Sequence, residues 1–307
     1  MNTPSNAVPG SSFQSQVIAP AEISWARCFY WSLRRELWEN RAIYIAPLAV
    51  AAVLLVGFLI SQIALTGHRI RTVLALDPAK QRAAINEPYM IAAALIMGTA
   101  FIVGIFYTLD ALYGERRDRS VLFWKSLPVS DLTAVLAKLT VPMVFLPLFS
   151  FVLTVATQFI MLVLSSVVVL ASGLNLATLW SQVSFLHDSL LVFYHIVTVH
   201  GLWYAPFYGW LLMVSAWAPR APFIWAFLPP FVICLVEKVT FNTTHFLGLL
   251  QRRLMGPDSA SMSSGGSMIA SLMPHHFFSE PGLWIGLAVA TAFIAVAVRL
   301  RRYRGPV

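Results

Sequence analysis

Six long apolar segments, separated by shorter polar ones, dominate the hydropathy pattern of this chain. They cover residues 42–64, 89–112, 132–170, 190–217, 223–240 and 282–298. Crossing the hydrocarbon core of a bilayer as a helix takes about 20 residues, and each segment is long enough to do so. The pattern therefore predicts an all-α, polytopic membrane protein with six transmembrane helices. The third segment is longer than one bilayer, so its first turns are expected to stand in the cytosol.

Prolines inside two of the apolar segments predict irregular helices. Pro142 and Pro147 lie near the start of the third segment, where we expect them to bend the helix. Pro229 and Pro230 lie in the middle of the fifth segment, where two missing N–H donors should leave the helix kinked or split. The sequence of residues 219–222 predicts a very tight turn between the fourth and fifth spans.

The polar segment 113–131, between the second and third spans, has an unusual composition. It begins with five consecutive charges, Glu115, Arg116, Arg117, Asp118 and Arg119. Four apolar residues follow, Val121, Leu122, Phe123 and Trp124, and Lys125 then restores charge. Four apolar residues are too few to cross a bilayer but are enough to dock on another surface. Because Pro128 stops any helix, the segment predicts a short, amphipathic, cytosolic helix held between two spans.

The chain before the first span predicts two further parts. Residues 1–20 are rich in Ser, Pro, Asn and Gln and lack the basic start and apolar core of a cleaved signal, so we expect a disordered cytosolic tail. Residues 21–41 place five apolar residues near helical spacing, Ile23, Phe29, Tyr30, Leu33 and Leu37, with the charged residues largely elsewhere and Trp25, Trp31 and Trp38 interleaved. This mixture favours an amphipathic helix lying in the membrane interface. An ordinary solvated helix is the alternative, and it would leave the tryptophans exposed without purpose.

Three connections complete the predicted layout. Residues 66–88 form a polar connection, and residues 171–189 form a nearly uncharged loop. The longest connection is an outer loop at residues 242–281, which combines a helical part at 245–255 with a flexible run at 259–267. Residues 42–307 together are expected to form one six-span transmembrane domain.

Composition supports a membrane protein and gives it an orientation. Of 307 residues, 58% are hydrophobic and 11% are charged, well below the quarter typical of soluble domains. The net charge of +8 does not indicate nucleic-acid binding, since the basic residues cluster at span ends, where they set topology and meet anionic lipid. With both termini in the cytosol, 14 basic residues lie inside and 7 outside. Cys28 and Cys234 are too far apart in the predicted layout to favour a structural disulfide.

No catalytic or metal site is predicted. The chain lacks the Gly-x-x-x-x-Gly-Lys-Ser/Thr pattern that cradles nucleotide phosphates. His195 and His200 do not share a helix face and have no acidic residue nearby, and His275 and His276 add no ligand set, so a zinc site is not favoured.

Other polar and aromatic residues near the spans allow two interpretations each. Asp110 is an acid at a span end, where an ion pair is favoured over substrate contact. Glu237 and Lys238 can line an exit path or anchor a helix at the interface. Gly282 and Gly286 form a G-x-x-x-G pattern, which can bring two helices close but is common by chance. An aromatic surface in the fourth span can be a substrate path or an outer interfacial belt; it consists of Trp203, Tyr204, Phe207, Tyr208 and Trp210.

The layout, with its interfacial helix, six spans and basic loop after the second, resembles the ABC-2 type family of ABC transporter permeases. In residue detail, the run from Asp110 to Asp131 is similar to the one such permeases carry at this place, and the run from Arg35 to Arg41 resembles the start of their first span.

The resemblance implies a membrane subunit of an exporter in the inner (plasma) membrane. It implies a dimer, either a homodimer or a pair with a similar permease, that works with two copies of a separate ATPase, which binds ATP and Mg. This chain would itself bind no cofactor. The resemblance also places a coupling helix at residues 120–127, where Val121 to Trp124 would fill a groove of the ATPase. Arg116, Arg117, Arg119 and Lys125 would complement the charge of that groove and of the lipid surface, and Glu115 and Asp118 would pair with those arginines or with the interfacial helix.

The expected activity is outward movement of a lipid-like, peptide or drug-like molecule. Two other classes remain open from sequence. An integral membrane enzyme acting on lipids would need clustered carboxylates or histidines at one membrane depth, and an ion-coupled carrier would need acids in mid-span. A solvated basic loop that only fixes topology would explain the charges of segment 113–131 but not Phe123 and Trp124.

Overall fold

The computed structural model describes residues 24–74, 77–126, 129–171, 189–190, 192–194, 196–255 and 274–305, and these are helical almost throughout, with no strand among them. The α-helices are α1 (Trp25–Glu39), α2 (Ala42–Leu74), α3 (Pro78–Ala111), α4 (Tyr113–Arg117), α5 (Val121–Lys125), α6 (Asp131–Thr140), α7 (Leu146–Ala171), α8 (Ala205–Trp217), α9 (Pro222–Phe241), α10 (His245–Met255) and α11 (Pro281–Tyr303). Two π-helical segments, Val141–Phe145 and Ile196–Trp203, and a 3₁₀ helix, Pro274–Ser279, complete the described elements.

Five helical stretches in the described residues are long and apolar enough to cross a membrane. They are Ala42–Ile63, Ala83–Arg117, Asp131–Ala171, Pro222–Phe241 and Pro281–Tyr303. The prediction of an all-α polytopic membrane protein is therefore confirmed. The predicted fourth span, residues 190–217, lies partly outside the described residues, and its described part consists of a π-helical segment followed by α8. Six spans, and the side of the membrane on which the termini lie, stay predictions.

Helix α8 is the central helix of the bundle. Nine of its 13 residues are buried, whereas in α9 only Ala226 is buried. Gly209 lets α8 approach α11 closely, since a Cβ there would lie 3.4 Å from the carbonyl oxygen of Ala290. Phe101 of α3 packs on the opposite side against the aromatic rings of α8. The side chains of α9 are consequently the ones most available to lipid or to another protein.

The prolines are accommodated in two different ways. Pro142 lies in the π-helical segment Val141–Phe145, where the i→i−4 ladder is already altered. Of the two outcomes predicted for Pro229 and Pro230, a split helix is wrong, because α9 is one continuous helix through both, and a kink stays a prediction. The indole Nε1 of Trp210 donates to the carbonyl oxygen of Ala226 at 3.0 Å. That carbonyl would otherwise accept from residue 230, which has no N–H, so the indole replaces the lost bond.

The bundle has two ends that differ in chemistry. The charged end comprises α1, α4, α5, the start of α6 and the end of α11. Ion pairs join α1, α4, α6 and α11, and Lys125 of α5 donates to a backbone carbonyl of α11. The far end comprises α10, the 3₁₀ helix and the start of α11. The 23 residues of α11 separate the two ends by about 34 Å, at about 1.5 Å per residue. The predicted cytosolic segments that the structure describes thus gather at one end of the molecule.

Of two predicted connections, one is more helical than expected and the other contains its helix where it was predicted. In the polar connection 66–88, α2 continues to Leu74 and α3 starts at Pro78, so helix occupies most of it. In the outer loop, α10 covers His245–Met255, the same residues as predicted. The tail 1–20 and the flexible run 259–267 lie outside the described residues.

Candidate functional site

The segment singled out from the sequence folds as two short helices, α4 and α5, joined by a tight turn. Arg119 turns the chain between them in the left-handed conformation, with φ of 58°. The hydroxyl of Ser120 donates to the carbonyl oxygen of Glu115 at 3.4 Å and closes the turn. Helix α5, Val121–Lys125, lies within the predicted helix 120–127, of which residue 127 is outside the described part of the chain.

The four apolar residues of α5 do not face the same way. Val121 is 2% exposed and lies in the core of the chain, whereas Leu122 and Phe123 are each 60% exposed. Trp124 is half-buried, and the guanidinium of Arg35 lies 3.8 Å from the centre of its ring. The expectation that all four fill a partner's groove is therefore wrong for Val121. At about 100° per residue, Val121 and Trp124 lie on the same, inward side of α5. Leu122 and Phe123 form the outward tip of α5.

Beneath α5 lies a buried ion network, whose first centre is Glu36 of α1. This carboxylate is 2% exposed. Its Oε1 accepts from Lys138 Nζ at 2.8 Å and from Arg35 Nη2 at 2.6 Å, and its Oε2 accepts from the Tyr107 hydroxyl at 2.9 Å. Burial opposes the ionisation of Glu36, yet Lys138 and Arg35 hold the pKa of its carboxyl below the usual value. Glu36 is thus an ionised carboxylate inside the protein.

Glu115 of α4 is the second centre of the network. Its Oε1 lies 3.0 Å from Arg35 Nη2 and 3.2 Å from Lys138 Nζ, and its Oε2 lies 3.4 Å from Arg301 Nη2. Arg301 in turn binds Asp131 at the start of α6. The expected pairing of Glu115 with the N-terminal helix is confirmed through Arg35.

The ion network joins four helices. Its carboxylates are Glu36, Glu115 and Asp131, together with the more exposed Glu39, which lies 3.6 Å from Arg35, and its cations are Arg35, Lys138 and Arg301. These side chains come from α1, α4, α6 and α11, so the helix that carries the loop charges is held to both ends of the chain. A buried ion pair is weak evidence for net stability, but removing one partner leaves an uncompensated charge at large cost.

Arg116 does not face a partner or lipid, contrary to expectation, but is buried against the end of α8. It is 7% exposed, and its Nη1 donates to the carbonyl oxygens of Ala216 at 2.7 Å and Ala218 at 3.2 Å. The last carbonyls of a helix have no partner within the helix, so a guanidinium satisfies them. Ser215 completes this contact, since its Oγ accepts from the backbone N–H groups of Leu112 and Tyr113, both at 3.0 Å.

The other charges of the segment lie on the surface. Arg117 pairs with Asp118 at 3.0 Å and with Asp110 at 3.6 Å, so Asp110 forms the expected ion pair. Arg119 and Lys125 are exposed. Lys125 Nζ donates to the carbonyl oxygen of Arg302 at 3.2 Å, which fastens α5 to the end of α11.

The aromatic residues of the fourth span do not form an open wall within this chain. Trp203 is 2% exposed, Tyr204 9% and Tyr208 1%, and Phe207 and Trp210 are half-buried. Phe101 packs against Tyr204, Phe207 and Tyr208. A substrate path along the whole set is contradicted, because its rings fill the core of the bundle.

Two of these aromatic residues hold α10 at the far end. The Trp203 indole donates to the carbonyl oxygen of Arg253 at 3.1 Å, and the Tyr204 hydroxyl donates to that of Leu254 at 2.7 Å. The Arg253 guanidinium lies 4.4 Å from the centre of the Trp203 ring and donates to the carbonyl oxygen of Gly282 at 2.9 Å. A Cβ at Gly286 would overlap this guanidinium. The G-x-x-x-G pattern therefore makes room for an arginine rather than for another helix.

Glu237 serves as an anchor, not as part of an exit path. Its carboxylate accepts from the backbone N–H of His245 at 2.6 Å and of Phe246 at 2.8 Å, and from the Thr243 hydroxyl at 2.9 Å. These are the free N–H groups at the start of α10, so Glu237 caps that helix from α9. Lys238 is exposed nearby.

Among the described residues, no group of three or more His, Cys, Asp or Glu side chains is placed to hold a metal ion. The side chains of His195, His275 and His276 lie outside the described part of the chain. The members of the ion network that sequence reasoning missed are Glu36, Lys138, Arg301 and Tyr107. One signal was available, because a lone lysine at the edge of an apolar segment needs a partner.

Comparison with known proteins adds no relative. No family model matches the chain, and no curated protein and no solved structure matches it significantly.

Proposed function

We propose that this chain is the membrane subunit of an ATP-binding cassette exporter of the ABC-2 type, and that α5 is the segment that binds its ATPase. The observation that carries the proposal is the outward tip of α5, formed by Leu122 and Phe123, which are each 60% exposed. This tip stands at the charged end of the bundle, between arginines, a lysine and acids. An aromatic and an aliphatic side chain held outward on a fixed helix are the type of anchor that fills a pocket in a partner.

The contacts that hold α5 in place support a mechanical role for this helix. Trp124 lies against Arg35 of α1, and Lys125 is bonded to the end of α11. Glu115 of α4, the helix that precedes α5, is held by Arg35, Lys138 and Arg301. A displacement of α5 by a partner is therefore transmitted to α1, α6 and α11 rather than absorbed by a loose loop.

In the proposed complex, the chemistry of ATP hydrolysis belongs to the partner. Two ATPase subunits bind ATP and Mg, and a second permease subunit, in the simplest case another copy of this chain, completes the membrane part. The cargo is a lipid-like, peptide or drug-like molecule moved outward across the inner (plasma) membrane. These assignments rest on the family resemblance of the segment from Asp110 to Asp131 and on the exposed tip.

The test is a binding measurement between the full chain in lipid nanodiscs and each purified ABC-class ATPase encoded in the same genome. The Leu122→Ala/Phe123→Ala variant is expected to weaken binding of the partner ATPase by about 30- to 150-fold. This corresponds to about 2–3 kcal/mol for losing the burial of two partly exposed apolar side chains. ATP hydrolysis that depends on the chain should fall in parallel.

The matched control is Leu247→Ala/Leu249→Ala, which removes two exposed leucines of α10 at the far end. It should leave both binding and hydrolysis unchanged. The proposal is wrong if no ATPase binds the wild-type chain, or if the tip variant binds as well as the control.

A further inference from the structure

The surroundings of the α5 tip carry an excess of positive charge that the chain itself does not neutralise. The carboxylates of the ion network, Glu36, Glu39, Glu115 and Asp131, lie against Arg35, Lys138 and Arg301, and Asp110 and Asp118 flank Arg117. Arg119, Lys125 and Arg302 are exposed and have no carboxylate partner among the described residues.

These three cations lie beside the tip, although one comes from the other end of the sequence. Arg119 is the turn residue whose carbonyl oxygen accepts from the N–H of Leu122 at 3.3 Å. Lys125 ends α5, and its Nζ binds the carbonyl oxygen of Arg302 at 3.2 Å. The end of α11 is thereby part of the same surface as α5, which the segment 113–131 by itself does not indicate.

We infer that this surface, defined by Leu122 and Phe123 with Arg119, Lys125 and Arg302 around them, fits an apolar pocket with an acidic rim. This inference rests on the proposed function and specifies the partner's chemistry. The ATPase pocket that receives the tip carries carboxylates opposite Lys125 and Arg302. Complementary charge at a rim speeds association and fixes register, while the apolar centre supplies most of the affinity.

An anionic membrane surface is the competing occupant, and the geometry favours a protein. Lipid headgroups would neutralise the cations but offer no pocket to Leu122 and Phe123. A protein groove satisfies both the charges and the apolar tip at once.

The experiment measures binding of the partner ATPase to the full chain in nanodiscs of neutral lipid. The Lys125→Glu/Arg302→Glu variant should bind at least about tenfold more weakly at low ionic strength, because like charges then face each other. Raising the salt from about 0.05 M to about 0.5 M should weaken wild-type binding and have less effect on the variant. Arg302→Glu by itself keeps the bond from Lys125 to the backbone and should still weaken binding, which separates charge from local structure.

The control is Lys80→Glu/Lys238→Glu, which makes the same change in net charge at exposed positions toward the far end and should bind like the wild type. Wild-type binding that neither the reversal nor salt alters would overturn this inference and leave the proposed function standing. A charge effect seen only in anionic-lipid nanodiscs would also overturn it, since the cations would then act on lipid. A wild-type chain that binds no ATPase at any salt would overturn both proposals.

Discussion

Replacing Lys138 by methionine should destabilise the protein by about 3–5 kcal/mol, because it removes one partner from a buried ion network. Lys138 is 3% exposed, and its ammonium lies 2.8 Å from Glu36 and 3.2 Å from Glu115. Methionine fills similar space without charge, so Glu36 and Glu115 would lose the cation that they share. A loss of this size is a large fraction of the roughly 5–15 kcal/mol by which a typical protein is stable.

The sign of the pH dependence gives this prediction a second readout. In the wild type, the pKa of Glu36 is below its usual value of 4.5, so its contribution to stability is present above that pH and lost as the pH falls through the lowered pKa. In Lys138→Met, an uncompensated carboxylate gains stability by taking up a proton. Lowering the pH from about 7 to about 5 should therefore stabilise the variant and leave the wild type nearly unchanged.

The assay is denaturant unfolding in detergent micelles, followed by fluorescence of the ten tryptophans. Lys238→Met, at an exposed lysine of α9, is the matched control and should change stability by no more than about 0.5 kcal/mol. Adding Glu36→Gln to Lys138→Met should recover part of the loss. Equal stability of Lys138→Met and Lys238→Met, or no recovery in the double variant, would refute the assignment of a buried ion network.

Three further substitutions test contacts elsewhere in the bundle by the same unfolding assay. Gly286→Ala should destabilise by about 1–3 kcal/mol, since the new methyl overlaps a guanidinium, whereas Gly57→Ala has open space and should not. Ser215→Ala should cost about 1–3 kcal/mol, since two backbone N–H groups lose their acceptor, and exposed Ser126→Ala should be neutral. Trp210→Phe should cost about 1–3 kcal/mol by leaving a carbonyl in α9 without its donor, and an unchanged stability would mean that water or the helix itself satisfies it.

The positions of the helices could be predicted from local sequence. Hydropathy predicts the apolar spans because the bilayer imposes their length and polarity, and α10 begins and ends where the sequence predicts. The short helix α5 was predicted from its polar flanks and from Pro128. Such features depend on residues close together in the chain.

The contacts between helices could not be predicted from the sequence, because they depend on which helices pack together. Nothing near Gly286 indicates that Arg253 occupies the space beside it, and nothing near Ala226 indicates that Trp210 replaces its helical bond. The inward direction of Val121 and Arg116 likewise reflects the position of α8 and α11, not the segment's own composition. Lys138 was visible as an isolated charge, but its two carboxylate partners lie about 100 and about 20 positions away.

The ion network also has a consequence for biogenesis. Arg301 pairs with both Glu115 and Asp131, yet it belongs to α11, which is synthesised 170 residues after Asp131. Until α11 has been inserted, Asp131 lacks its guanidinium, Glu115 is held only by Arg35 and Lys138, and the side of α8 at Gly209 is uncovered. A nascent chain that stalls before α11 therefore exposes a carboxylate without its arginine and an uncovered helix face.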